Sequence, residues 1–272
     1  MTAEGPGQNY LLEDGVLRCT APSPDRFYQE DPSRILELFT ACAAWNCTVE
    51  IETYAAALKN VSLLNRLPGT VLRESVQSLL LSDMPQALDP LIAAGAFASY
   101  GIANSISCLC NLQQVPCTME TRWWSFLRMC NANYRFVCER FGFSQRFAEA
   151  LVGLDRLAAT RTLPDSIQAL KYLLSTLPEI DYEAAVQTFL LHDARWKGQL
   201  ELFEQLREMG EPYLVRHLAV TPAELLASGV PAAKMNRVLR GLLDAVIKAP
   251  SVNMGHSLFH FTEEIKNCEY ST

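Results

Sequence analysis

Arg26-Phe27-Tyr28-Gln29-Glu30-Asp31-Pro32-Ser33-Arg34-Ile35-Leu36 decides how this chain is read, together with its continuation Thr48-Val49-Glu50-Ile51-Glu52-Thr53. Asp31 and Arg34 stand three apart at the mouth of a predicted helix and therefore share one face. An ionised carboxylate only accepts hydrogen bonds, and a guanidinium only donates them. Such a pair fits a base edge that offers an amino donor beside a bare ring nitrogen. Cytosine and adenine have that edge. Guanine and uracil place a carbonyl where the amino group should be, so Asp31 would face it acceptor to acceptor. The same two residues also read as a helix start with an acidic first turn and a surface ion pair.

The stretch resembles the neck of bacterial class II tRNA nucleotidyltransferases, the CCA-adding enzymes and their poly(A) polymerase relatives. Their pattern runs roughly Arg-Phe-x-Glu-Asp-x-x-Arg-x-x-Arg, then Gly-Phe-x-Ile-Glu-Pro-Glu-Thr. The resemblance implies nucleotide binding, with Asp31 and Arg34 reading the incoming CTP or ATP. It continues at Val71-Leu72-Arg73-Glu74, Leu79-Leu80-Leu81-Ser82-Asp83, Ala87-Leu88 to Ala94-Gly95, Arg122-Trp123 and Phe141-Gly142-Phe143-Ser144. Glu211-Pro212-Tyr213, Ala223-Glu224-Leu225-Leu226-Ala227-Ser228-Gly229-Val230 and Asn253 look like the tail. The ordered set covers most of the chain and is more specific than any one piece.

Members of that family carry a catalytic head before the neck, with an Asp-x-Asp pair on a strand. Carboxylates one residue apart on a strand point the same way and can hold two metal ions. This sequence has no Asp-x-Asp. Glu50-x-Glu52 falls on the element that starts a helix in the family. Tyr10-Leu11-Leu12-Glu13-Asp14-Gly15-Val16-Leu17-Arg18 resembles the last strand of the head. The resemblance thus implies a chain that begins where the head ends, either a fragment or a headless relative. No catalytic residue and no metal ligand is expected in it. Mg2+, CTP and ATP are expected only with a head supplied in cis or in trans.

Inside the motif the sequence departs from the pattern. The second Arg is Glu37 and the third is Thr40; Gly-Phe is Asn46-Cys47, and the Pro is Ile51. Arginines lost beside a triphosphate weaken an anion clamp, and Glu37 would repel phosphate.

The 272 residues suffice for one large domain or two to three small ones. An apolar share of 49% is too high for disorder. No run of about 18 apolar residues predicts a membrane span, and no basic region followed by an apolar stretch predicts a signal peptide. Nine cysteines, with no Cys-x-x-Cys, fit a reducing cytoplasm. Cys108-x-Cys110 with Cys117 is read as buried thiols or a zinc site.

Net charge is −7, awkward for an RNA binder. The charge is uneven: residues 1–119 hold 12 acids against 6 Lys and Arg, and residues 120–161 hold 7 Arg against 4 acids. The second stretch interleaves its arginines with Trp123, Trp124, Phe126, Tyr134, Phe136, Phe141 and Phe143. That pattern reads two ways: amphipathic helices with core aromatics, or a path for the tRNA acceptor stem and elbow. On the second reading Arg122, Arg128, Arg135, Arg140 and Arg146 contact RNA, joined by Lys234, Arg237 and Arg240 from the tail.

An all-α fold is expected, a multi-helix neck, body and tail with a short β-hairpin remnant at the amino end. Asp14-Gly15 between Leu11-Leu12 and Val16-Leu17-Arg18 is a hairpin turn. Beyond it apolar residues recur at three and four: Ile35, Leu36, Phe39 and Cys42 make one stripe, Val71, Ser75, Leu79 and Leu80 another. Asp83-x-Pro85 and Thr221-Pro222-Ala223-Glu224 read as helix starts. The predicted boundaries are 1–24 for the remnant, 25–105 for the neck, 106–195 for the body and 196–272 for the tail. His192-Asp193 and His256-x-x-x-His260 are weak metal-site patterns.

The function implied is the tRNA-binding, nucleotide-selecting carboxyl part of a protein of tRNA 3′-end processing (CCA addition), cytoplasmic, binding neither DNA nor membrane and not catalytic alone. The alternative is a diverged, non-catalytic RNA-binding or protein-interaction scaffold.

Overall fold

The computed structural model describes residues 9–102, 109–178 and 180–267, with side chains as far as 262. The chain divides into two compact units, Met1–Ala159 with Ile180–His192, and Thr160–Glu179 with Asp193–Thr272.

The first unit opens with the expected hairpin. Strands β1 (Tyr10–Glu13) and β2 (Val16–Cys19) pair antiparallel, Tyr10 opposite Cys19. Asp14 (φ 50°) and Gly15 (φ 75°) both take left-handed backbone, as a two-residue hairpin turn demands. A third strand, β3 (Thr48–Val49), lies parallel to β2, an addition to the predicted hairpin.

The rest is helical, in chain order α1 (Pro24–Glu30), α2 (Ser33–Trp45), α3 (Ile51–Lys59), α4 (Gly69–Leu81), α5 (Asp89–Ala93), α6 (Met119–Met129), α7 (Tyr134–Arg140), α8 (Gln145–Ala158), α9 (Ile167–Thr176), α10 (Tyr182–Leu190), α11 (Lys197–Met209), α12 (Pro222–Ala227), α13 (Met235–Lys248) and α14 (Gly255–Asn267). Local chemistry starts many of them. Ser23, Thr118, Asn133, Ser144, Ser166 and Asp181 each accept a hydrogen bond from a backbone N–H of the following first turn. Glu50 does this for α3, taking bonds from Thr53 N (2.9 Å) and Thr53 Oγ1 (2.7 Å). Thr221 and Glu224 close the predicted capping box of α12. Asp83-x-Pro85 behaves otherwise. It yields only a 3-10 turn, Pro85–Leu88, with no side-chain cap, and α5 follows at Asp89.

In the first unit α1 packs on α3, α2 on α4, α4 on α6, and α6 on α8 and α10. The α2 stripe is buried as expected at Ile35, Leu36 and Phe39. The buried face of α4 is centred on Leu72, Val76, Leu79 and Leu80, one position on from the predicted Val71 and Ser75. Helix α6 is buried from Thr121 to Leu127, and Trp123 is met edge-on by Phe126, Phe141 and Phe143. Gly69 lets α4 approach the end of α7, since a Cβ there would sit 2.0 Å from Arg140 O.

The second unit is built on α13. Its Val238, Leu239, Leu242, Leu243, Val246 and Ile247 join Leu218, Val220, Leu225, Val230 and Leu258 in one core, and Arg237 and Arg240 face outward. In α9, Lys171 is buried and ion-paired with Glu211, so this interior charge is compensated.

Candidate nucleic-acid interface

The junction of α1 and α2 brings Asp31 and Arg34 together. Asp31 is the residue after α1, in extended backbone. Its Oδ1 accepts from Ser33 N (3.0 Å) and Ser33 Oγ (2.6 Å), which caps the start of α2. Its Oδ2 faces Arg34 Nε at 3.7 Å. Arg34 Nη1 donates to Phe27 O at 3.0 Å, and the guanidinium carbon stands 4.2 Å from the centre of the Phe27 ring. Tyr10 supports the residue from behind, its hydroxyl donating to Arg34 O at 2.6 Å. Burial pushes the Tyr10 and Tyr28 hydroxyls well above ordinary phenols, so both stay protonated. Arg34 is thus held by a ring, a carbonyl and a carboxylate, with its side chain 26% exposed and that of Asp31 45% exposed. The result is an acceptor and a fixed donor side by side at the surface.

The neighbouring positions add no cation. Glu37 is exposed one turn on. Thr40 turns its hydroxyl into its own helix, donating to Leu36 O (2.8 Å) and Glu37 O (3.0 Å). Glu50 is spent on α3, and its bonds from Thr53 hold its carboxyl below the usual carboxylate range. Among the described residues no three His, Cys, Asp or Glu side chains converge in a way that could hold a metal ion. Asp193 of the His192-Asp193 pair caps a 3-10 turn and grips Arg195 with both oxygens. Cys108 lies outside the described residues, and Cys110 and Cys117 are exposed thiols that form no disulfide.

The arginines of the basic stretch divide. Arg122 is interior, 5% exposed, with Nε on Val115 O (2.9 Å) and Nη1 on Leu80 O (3.1 Å). The expected RNA-path residue Arg122 is thus placed in the interior, with its Nε–H and an Nη1–H bonded to main-chain carbonyls, and burial pulls its pKa down. Arg128 is exposed, paired with Asp155 (3.2 Å) and 5.1 Å from the Trp124 ring. Arg135, Arg140 and Arg146 are exposed around α7 and the start of α8. Of the interleaved aromatics, Trp123, Trp124, Phe126 and Phe141 are core. Phe136 is not. It is 42% exposed, and Arg140 lies 5.5 Å from its ring. Sequence reasoning missed a cleft of about 440 Å³ lined by Arg135, Cys138, Glu139, Phe143, Ser144 and Glu149. The Phe143-Ser144 turn into α8 was its only sequence signal.

In the second unit Lys234, Arg237 and Arg240 are exposed at the start of α13. The separated tail residues Glu211, Tyr213 and Asn253 come to one cleft of about 360 Å³, with Arg207 and His217. Asn253 ties it, donating to His217 O (2.9 Å) and accepting from Ala219 N (2.8 Å). Burial, and then Arg216, hold the His217 pKa below that of an ordinary imidazole.

No protein-family model matches the sequence, and no curated protein matches it. Solved structures do. CCA-adding enzyme with CTP matches at 15% identity and a TM-score of 0.52, over 86% of this chain and 59% of that one. CCA-adding enzyme with ATP gives the same figures. Its apo form I gives a TM-score of 0.53 at 15% identity, over 90% of this chain and 61% of that one. The chain spans about three fifths of the length of the structures whose fold it shares.

Proposed function

We propose that this chain is the nucleotide-selecting and tRNA-holding part of a CCA-adding-type protein and does not catalyse by itself. Asp31 and Arg34 select cytosine and adenine. The exposed arginines of α6 to α8 and the Lys234, Arg237 and Arg240 group hold the acceptor stem and elbow. Arg122 is left out, because it is buried and bonded to two main-chain carbonyls. Metal-dependent transfer belongs to a catalytic head, in cis or in trans, which would bring Mg2+ and the triphosphate of CTP or ATP. Neck, body and tail, in the cytoplasm, remain our reading of the chain.

The observation that carries this reading is the fixed acceptor–donor pair at the α1–α2 junction, on a fold matched over 86% of the chain by structures of CCA-adding enzyme. The test joins a family head to the chain and offers it tRNA ending before CCA. The expected result is addition of C and A by the fusion and none by the chain alone. Addition by the chain alone, in a preparation free of host enzyme, would overturn the non-catalytic part.

Exposed Glu37 and the inward Thr40 hydroxyl favour a second reading, a diverged relative that holds RNA or protein without selecting bases. A tRNA minihelix titration at two salt concentrations separates these cases. Affinity that falls steeply with salt supports RNA holding. Absence of affinity at both leaves a protein-interaction bundle.

A further inference from the structure

The far end of α2 closes in a cap with a cysteine at each of its two contact positions. Asn46 takes the left-handed conformation (φ 47°, ψ 49°). Its N–H bonds Ala43 O (3.4 Å), and the N–H of Cys47 bonds Cys42 O (3.2 Å). This pair of bonds defines a Schellman cap, in which the side chains at the Cys42 and Cys47 positions ordinarily meet as an apolar contact. Here they meet as thiols. Cys42 Sγ lies 2.7 Å from Cys47 O, and Cys47 Sγ lies 3.9 Å from Cys42 O. Both are free; Cys42 is half-buried and Cys47 buried. Cys47 stands where the pattern described above has Phe, so the thiol pair is a feature of this chain.

We propose that Cys42 and Cys47 are a redox modification site, closed to a disulfide across the C-terminal cap of α2 by a glutathione-type disulfide. Closing would covalently tie the end of α2 to the residue before β3, whose Thr48 N–H bonds Gly15 O at 2.9 Å. The exchange takes two steps. The Cys42 thiolate attacks one sulfur of oxidised glutathione, that S–S bond breaks, and one glutathione thiolate leaves. Cys47 then loses its proton to solvent, attacks Cys42 Sγ and displaces the second glutathione thiolate. Two protein thiols are oxidised by two electrons and one glutathione disulfide is reduced to two thiols. Burial, then the neighbouring Cys47 thiol, pushes Cys42 up to about 11, so the exchange runs slowly at neutral pH and faster in mild alkali.

The test uses the full chain. It is treated with oxidised glutathione at mildly alkaline pH, quenched in acid, alkylated and cut with trypsin. The peptide between Arg34 and Lys59 contains Cys42 and Cys47 and no other cysteine. The expected peptide is lighter by two hydrogen atoms and unalkylated at both positions, and a reducing agent restores both. Cys47→Ser should instead retain one glutathione on Cys42, because the resolving thiol is gone. The proposal is overturned if both thiols remain alkylatable after exposed Cys110 and Cys117 have reacted. It is equally overturned if the unaltered chain carries glutathione on Cys42 without closing.

Discussion

Arg34 and Arg122 each donate a guanidinium hydrogen to a carbonyl in the last turn of an earlier helix, Phe27 O of α1 at 3.0 Å and Leu80 O of α4 at 3.1 Å. Such carbonyls have no partner within their own helix. A cation placed there also meets the negative end of the helix dipole. The two regions differ in what is left over. Arg122 gives its Nε to Val115 O and lies in the stretch of α6 that is buried from Thr121 to Leu127. Arg34 keeps a surface edge beside Asp31. The same local task therefore leaves one arginine in the interior and the other with an edge open to solvent. Burial of the surrounding helix decides which.

The largest effect should come from Arg122. Replacing it with Leu leaves Leu80 O and Val115 O without their donor, at about 1–3 kcal/mol for each buried group. We expect a stability loss of about 3–5 kcal/mol in urea unfolding. Arg122→Lys should recover little, because an ammonium point charge does not span two carbonyls as the planar fork does. A loss below about 1 kcal/mol would mean that the site rehydrates, and the contrast with Arg34 would fail.

Arg34→Ala should cost less, about 1 kcal/mol, because the Phe27 carbonyl and ring lie where water can replace the side chain. Its distinguishing mark is a change in base choice in the fusion enzyme, which Arg122→Leu should not produce in the fraction that stays folded.

Much of this contrast was out of reach in the sequence. Asp14-Gly15, Thr221-Pro222-Ala223-Glu224 and the Ile35, Leu36, Phe39 stripe act through neighbours a few residues away, so spacing alone was enough for them. Arg122 depends on carbonyls 42 and 7 residues away. Arginines interleaved with aromatics look the same whether the helix is buried on one face or all round, and α6 is buried all round from Thr121 to Leu127. The Asp31–Arg34 contact could be read because both lie within one turn. That Asp31 also caps Ser33, and that Phe27 holds Arg34, followed only from the bend between α1 and α2.

Arg128 supplies an exposed reference. Its side chain is 57% exposed and paired with Asp155. Arg128→Ala should therefore cost about 0.5 kcal/mol, and less as salt rises. A salt-independent loss of more than about 1 kcal/mol would show that its contact with Trp124 contributes more than the ion pair, and would place it nearer Arg34.

The smallest stability effect, and the sharpest test of the junction, is Asp31→Asn. The side-chain oxygen of Asn can still accept from Ser33 N and Ser33 Oγ, the two bonds that Asp31 Oδ1 now makes. Only the Oδ2 side changes, from an acceptor to an amino donor, together with the charge opposite Arg34 Nε. Stability should move by no more than about 0.5 kcal/mol, as for a surface substitution that keeps its cap. Base choice should move far more. An amino group facing the base edge no longer penalises the carbonyl of guanine or uracil, so discrimination against those bases should fall in the fusion enzyme. If Asp31→Asn destabilised the chain as much as Arg34→Ala and left base choice unchanged, Asp31 would be a helix cap and nothing more. Arg34 would then stand with Arg122 as a structural arginine that happens to be exposed.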